Sequence, residues 1–149
     1  MNRGCVLLIG GAEESPPRSE VFESFLDLCG GPGANLLIFA AASRFEREAQ
    51  NHVDLLLELG AAKVRLIYIE KRSDGENPDY LRDMDQASGV LLTSCNHLRL
   101  TTNLGGTPLA RALRRRNSEG LHVAGIGAGA SYICGHMITY GQVGVTPRT

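Results

Sequence analysis

The sequence predicts an α/β fold, a three-layer sandwich in which a mostly parallel, doubly wound sheet lies between helices. Three observations carry that prediction. Short continuous apolar runs, as at 5–9, 35–40 and 89–93, alternate with longer segments whose apolar residues recur every three or four positions. Such runs are the mark of strands covered on both faces, and the 3–4 spacing marks amphipathic helices. The 18 glycines follow no repeat period and so point to many tight βα turns. Finally, 149 residues, 43% apolar and 21% charged, are enough for one domain over the whole chain to bury roughly two-thirds of its unfolded surface.

Taken in order, residues 5–9 form the first strand, read as covered on both faces, and Gly10, Gly11, Ala12, Glu13 and Glu14 the loop after it. Ser19 caps a helix with Val21, Phe22, Phe25, Leu26 and Cys29 on one face, stopped by Gly30, Gly31 and Pro32. Residues 35–40 are the second strand. Ser43 begins a helix with Phe45, Ala49, Val53, Leu56 and Leu57 inward and Gly60 as its stop, and 63–69 is the third strand. Asn77 caps, and Pro78 opens, a helix that runs to about Ala87. Residues 89–93 are the fourth strand, and Ser94, Cys95, Asn96 and His97 leave its carboxyl end. A short helical turn near 98–103 and a helix from Thr107 and Pro108 to about Asn117 lead to the fifth strand, 122–126. This alternation implies parallel pairing with right-handed crossovers.

Composition narrows the function. A net charge of −1 leaves no overall field to draw the chain onto nucleic acid or an anionic membrane. The basic run Arg111, Arg114, Arg115 and Arg116 reads as a solvated face near a helix C-terminus. No apolar run approaches the roughly 20 residues of a membrane helix, and residues 1–10 lead into no signal-peptide cleavage pattern. Cys5, Cys29, Cys95 and Cys134 are dispersed without a C-x-x-C pair, which points away from a disulfide framework and toward a reducing cytoplasm.

In parallel sheets ligands sit at the carboxyl ends of the strands. Those ends carry Gly10 to Glu13, Ala41 to Ser43, Glu70 to Arg72, Ser94 to His97, and Gly127. Gly127 is the centre of the stretch around which the chain is organised, a strand that runs into a glycine-rich turn and then a helix, residues 121–131. In a nucleophile elbow, G-x-S-x-G lifts a serine above the sheet at such a turn. Gly125, Gly127 and Gly129 keep the spacing, but the central residue has no side chain with which to attack.

Other chemistries compete for the same residues. Cys95 and His97, two apart in extended chain, would face the same side and could form a thiolate pair; the alternative is an inert thiol beside a loop histidine. Cys95, His97, Cys134 and His136 are metal-ligand types, but a helical Cys134 and His136 would subtend about 200° and face apart. The glycine turn could cradle a phosphate, yet the acidic residue expected about 20 positions on is missing from the sequence. Ser131, about one turn past Gly127, is set back from the strand tips and suits capping or packing. Glu13, Asp79 and Asp83 read as solvated acids, with Glu13 placed to meet a cationic ligand.

Several pieces of the chain occur together in one known family: Ile9-Gly-Gly-Ala-Glu13, Leu59-Gly-Ala-Ala62, Asn77-Pro-Asp-Tyr-Leu81, His97-Leu-Arg-Leu100, Leu104-Gly-Gly-Thr-Pro-Leu109, Gly125-x-x-Ala-Gly-Ala130 and His136-Met-Ile138. In this the chain resembles the cyanophycinase family of serine peptidases, whose fold is like that of class I glutamine amidotransferases, over about the N-terminal half of a typical member. The family hydrolyses cyanophycin, a polyaspartate bearing arginine on each β-carboxyl, to β-Asp-Arg dipeptides. The resemblance aligns the family's nucleophilic serine with Gly127 and places an oxyanion-binding N–H at Ala128. The family's Gly-Gly-Asp-Gln, which helps form the oxyanion hole and hold substrate, falls on Ser94, Cys95, Asn96 and His97; Gly11 and Glu13 join the substrate-binding set. The family's catalytic histidine and acid lie beyond Thr149.

What this implies is a truncated amidotransferase-like domain, catalytically inactive or incomplete alone, that binds or regulates around cyanophycin or an Asp/Arg-rich β-aspartyl peptide. The alternative is a subunit of a serine- or cysteine-type isopeptidase completed by a partner chain. A sheet of five or so strands with a hairpin near 138–145 should leave an edge or face uncovered, so either a second copy or a chain supplying the missing half is expected. No cofactor, metal, nucleic acid or membrane partner is expected.

Overall fold

The computed structural model describes residues 2–10, 19–41, 46–93 and 96–137. Gly11, Glu13, Ser43, Phe45, Ser94, Cys95 and the expected hairpin at 138–145 lie outside the described residues. The strands are β1 (Val6–Ile9), β2 (Asn35–Ala40), β3 (Lys63–Tyr68), β4 (Gly89–Leu92) and β5 (His122–Ile126). The helices are α1 (Ser19–Leu28), α2 (Glu46–Glu58), α3 (Pro78–Gln86), α4 (His97–Leu104), α5 (Pro108–Ser118) and α6 (Ala128–Ile133). Short 3₁₀ turns at Gly31–Gly33 and Arg72–Glu76 complete the order.

All four strand pairings are parallel, in the order β1-β5-β4-β2-β3. Because side chains alternate along a strand, each central strand feeds two cores. Leu36 and Ile38 of β2 join Leu91, Ala124 and Ile126 under α1 and α2, where Phe22, Phe25 and Leu56 pack. Leu37 and Phe39 turn the other way and join Val90, Leu92 and Val123 beneath α3, α4 and α5. The expected three-layer α/β architecture is what the chain forms, with an all-parallel sheet.

Two of the caps read from sequence are in place. Asn77 Oδ1 accepts the Asp79 N–H at 2.9 Å, and Thr107 Oγ1 accepts the Ala110 N–H at 3.3 Å; each satisfies a donor that the first helical turn leaves open. Ser19 is the first residue of α1 rather than the residue before it.

Five expectations need correction. Among the described residues β1 is an edge strand and is not covered on both faces, with Val6 and Leu8 46% and 57% exposed. The arginine run is not uniformly solvated. Arg116 reaches back to the end of α3, where Nη2 donates to the Ala87 carbonyl at 3.0 Å; Arg115 pairs with Asp85 at 2.8 Å. Asp83 is not a solvated acid, since its largely buried carboxylate pairs with Arg65. Leu57 does not face inward on α2, being 45% exposed. Cys134 and His136 lie exposed beyond the end of α6 at Ile133, so the opposed faces argued for a helix do not apply to them.

Candidate functional site

The register places the glycine turn at the tip of a central strand. Ile126 pairs with Ile9 of β1, and Gly125 with Leu92 of β4. Gly127 is therefore the first residue past the ladder, beside the ends of both neighbouring strands. It is exposed, and its backbone sits at φ 54° and ψ −117°. That combination lies outside the ordinary right- and left-handed helical regions, and a residue with a Cβ is held there only at about 1–3 kcal/mol. Glycine adopts it freely.

The flanking glycines are required for a different reason. A Cβ on Gly125 would lie 2.6 Å from the Ala130 nitrogen and from the Gly129 carbonyl carbon, and one on Gly129 would overlap the Leu92 carbonyl. These contacts are with backbone, which cannot swing aside. The three glycines thus do two jobs: the outer pair lets α6 lie directly on β5 and β4, and the middle one makes the bend.

Ala128 follows as the first, buried residue of α6, and its N–H is among the first-turn donors that have no intrahelical acceptor. The Ser131 hydroxyl donates to the Gly127 carbonyl at 3.4 Å, beside the Ser131 N–H at 3.1 Å. Its hydroxyl is turned back into the helix, in the packing role that its spacing suggests.

On the β4 side, Thr93 is buried, its hydroxyl donating to the Phe39 carbonyl at 3.0 Å. Asn96 is the cap of α4, with Oδ1 accepting the Arg99 N–H at 3.1 Å, so that oxygen is committed to the helix. His97 is half-buried and is the first residue of α4 rather than a loop residue. His97 is therefore helical rather than part of the extended chain that a Cys95–His97 contact requires. Gly11, Glu13 and Cys95 fall outside the described residues.

Sequence reasoning missed the residues that set the loop after β3. Asp74 Oδ2 accepts the N–H groups of Glu70 and Lys71, both at 2.9 Å. Asn103 Nδ2 donates to the Glu70 carbonyl at 2.8 Å. Arg72 Nη1 donates to the Thr102 and Gly105 carbonyls at 2.9 Å each. Together they tie this loop to α4. The available signal was weak: a polar 71–77 stretch with an Asp three residues after Lys71, a spacing that can close a turn.

Among the described residues, strongly shifted titratable groups are structural. Burial pushes the Cys29 thiol up to about 12, leaving it protonated and unreactive at neutral pH. Burial also lowers the pKa of His52, against the opposing pull of Glu48. No group of three or more His, Cys, Asp or Glu side chains able to hold a metal is found among the described residues, and none of the helices described is long and apolar enough to cross a membrane.

The model of Peptidase family S51 matches residues 6–148. A cyanophycinase from Geminocystis herdmanii is 32% identical over 148 residues, covering 98% of this chain and 54% of that protein. A cyanophycinase from Trichormus variabilis is 35% identical over 146 residues, with 97% and 49% covered. The chain thus spans about half the length of these relatives. Among solved structures, a peptidase from an acI-B1 Actinobacterium superposes with a TM-score of 0.73 at 23% identity, covering 87% of this chain and 56% of that one. A putative peptidase E from Listeria monocytogenes gives 0.60 at 18% identity, with 87% and 61% covered. These likenesses agree with the fold described above.

Proposed function

Since the chain belongs to peptidase family S51, we propose that it is a cyanophycinase-like protein in which Gly127 stands where the family's nucleophilic serine would be. On this reading the isolated chain binds cyanophycin or β-aspartyl peptides, in a structural or regulatory role, and does not hydrolyse them.

The observation that carries the reading is the backbone of Gly127. The residue holds a strained-type bend at the tip of β5, the setting in which an elbow presents its serine, but it has only hydrogen atoms to present. Acyl transfer needs an oxygen or sulfur nucleophile to attack the β-aspartyl carbonyl, and an N–H such as that of Ala128 to receive the charge on its oxygen. The second part survives a loss of the first. Removing the serine of a serine protease lowers turnover by about 10⁶, while contacts that hold the peptide need not change. The family resemblance assigns the remaining contacts and a second N–H to Asn96, through the amide nitrogen its cap leaves over, and to His97, Gly11, Glu13 and Cys95.

The test is to incubate the chain with cyanophycin granules and follow both co-sedimentation and release of β-Asp-Arg dipeptide. Co-sedimentation without release is expected. Dipeptide release by the wild-type chain would overturn the reading, and its loss in Cys95→Ala would assign the nucleophile to that thiol.

A further inference from the structure

Among the described residues, the core on the α5 and α6 side of the sheet stops short of β1. Val6 and Leu8 both point to that side, and both are about half exposed. Between β1, α5 and α6 lies a cavity of about 460 Å³ with Val6, Val123, Leu113 and Ile133 as its apolar lining and Arg3, Arg111 and Arg114 at its rim. That volume falls within the range of ligand-binding clefts. Among the described residues β1 pairs only with β5. Among the described residues its outer edge thus has no strand partner, and it carries main-chain donors and acceptors of the kind an added strand uses.

Charge decides which occupant suits this surface. Arg115 and Arg116 have carboxylate partners in Asp85 and Glu119. Among the described residues the three rim arginines have none: Arg3 Nε donates to Asn117 Oδ1 at 3.0 Å, and Arg111 Nη1 to the Gly106 carbonyl at 2.8 Å. Three positive charges are thus concentrated on one face of a chain whose net charge is −1. A two-fold contact between copies would set this face against itself and its arginines against one another. An edge strand with an aliphatic floor suits main-chain pairing and apolar side chains rather than phosphates and bases.

We propose that the groove docks an extended, acidic polypeptide segment carrying aliphatic residues. Its backbone adds to the outer edge of β1, its aliphatic side chains cover Val6 and Leu8, and its carboxylates meet Arg3, Arg111 and Arg114. The surface follows β1 and α5 rather than the tip of β5, so the inference stands apart from the reading of Gly127.

A fluorescein-labelled heptapeptide of alternating Glu and Val, titrated with the full chain and read by fluorescence anisotropy, tests this. Binding is expected, at least 10-fold weaker in the double variant Arg111→Gln, Arg114→Gln and in Leu8→Glu, and unchanged in Arg82→Gln, an exposed arginine on α3. All the substituted side chains are exposed, and circular dichroism melts verify that each variant is folded. Absence of binding, equal binding of a Lys and Val heptapeptide, or binding indifferent to the groove substitutions would overturn the proposal. So would an oligothymidylate that binds this face more tightly than the acidic peptide, or a dimer in sedimentation velocity that Leu8→Glu dissolves.

Discussion

Leu7 and Leu8 are adjacent in one four-residue strand, yet they meet different environments. Leu7, with Ile9, packs half-buried on the core beneath α1 and α2. Leu8, with Val6, points to the α5 and α6 side, where nothing among the described residues closes over it. On one face the core extends under the edge strand; on the other it ends at Val123 and Tyr132 of β5 and α6. The contrast teaches that, among the described residues, one strand has a covered face and an open face, and the open face carries the arginines without a carboxylate partner.

The first way to break this contrast is to ask whether the open face merely reflects a loosely placed α6. If α6 could slide toward β1, Val6 and Leu8 would be covered. Gly129 argues otherwise, since a methyl group there would run into the Leu92 carbonyl. Gly129→Ala should cost about 3 kcal/mol or more, at the upper end for overpacking, because backbone cannot yield. Gly127→Ala, at an exposed position whose only demand is conformational, should cost about 1–3 kcal/mol. Urea denaturation of both variants gives the order. A milder loss at Gly129 than at Gly127 would mean that α6 can shift.

Much of this was legible beforehand and some was not, for physical reasons. β2 and β5 were read with their boundaries because turn-forming residues bound their apolar runs, and Asn77 and Thr107 announced their helices through the cap-and-proline pattern. The same reasoning misjudged β1. The five apolar residues 5–9 have the composition of a doubly covered strand, but sequence does not say whether a second layer of helix reaches that far. It likewise misread Arg116 and Asp83, whose partners Ala87 and Arg65 are brought to them only by the packing of α5 and α3. At the site, the position of the bend was visible in the spacing of Gly125, Gly127 and Gly129. The commitment of Asn96 to capping α4 was not, because asparagine suits a cap and a ligand contact equally well.

A second test loosens the covered face selectively. His52 lies on α2 with its ring 5.4 Å from that of Phe22, and its Nδ1–H donates to the Glu48 carbonyl at 2.8 Å. Burial holds its pKa below the usual 6.5, with Glu48 opposing. In that range the folded chain binds fewer protons than the unfolded one. The contribution is therefore intact above pH 6.5, declines as pH falls below it, and is lost once pH passes the lowered folded value. The urea midpoint should drop between pH 7.5 and 5.5, and His52→Leu should flatten that drop. An equal drop in the variant would assign the pH dependence to groups elsewhere.

The smallest effect is the most direct comparison of the two faces. Leu7→Ala and Leu8→Ala delete the same atoms from neighbouring positions, so chain entropy and strand propensity change alike in both. What differs is the apolar surface returned to water. For half-buried Leu7 the loss should be about 1–2 kcal/mol, below the 2–5 kcal/mol of a fully buried leucine. For Leu8, already more than half exposed, it should stay within about 0.5 kcal/mol, the usual range of a surface substitution. A denaturation pair read on the chain alone gives the difference. Equal losses would mean that Leu8 is covered in solution, and that its face already has its occupant.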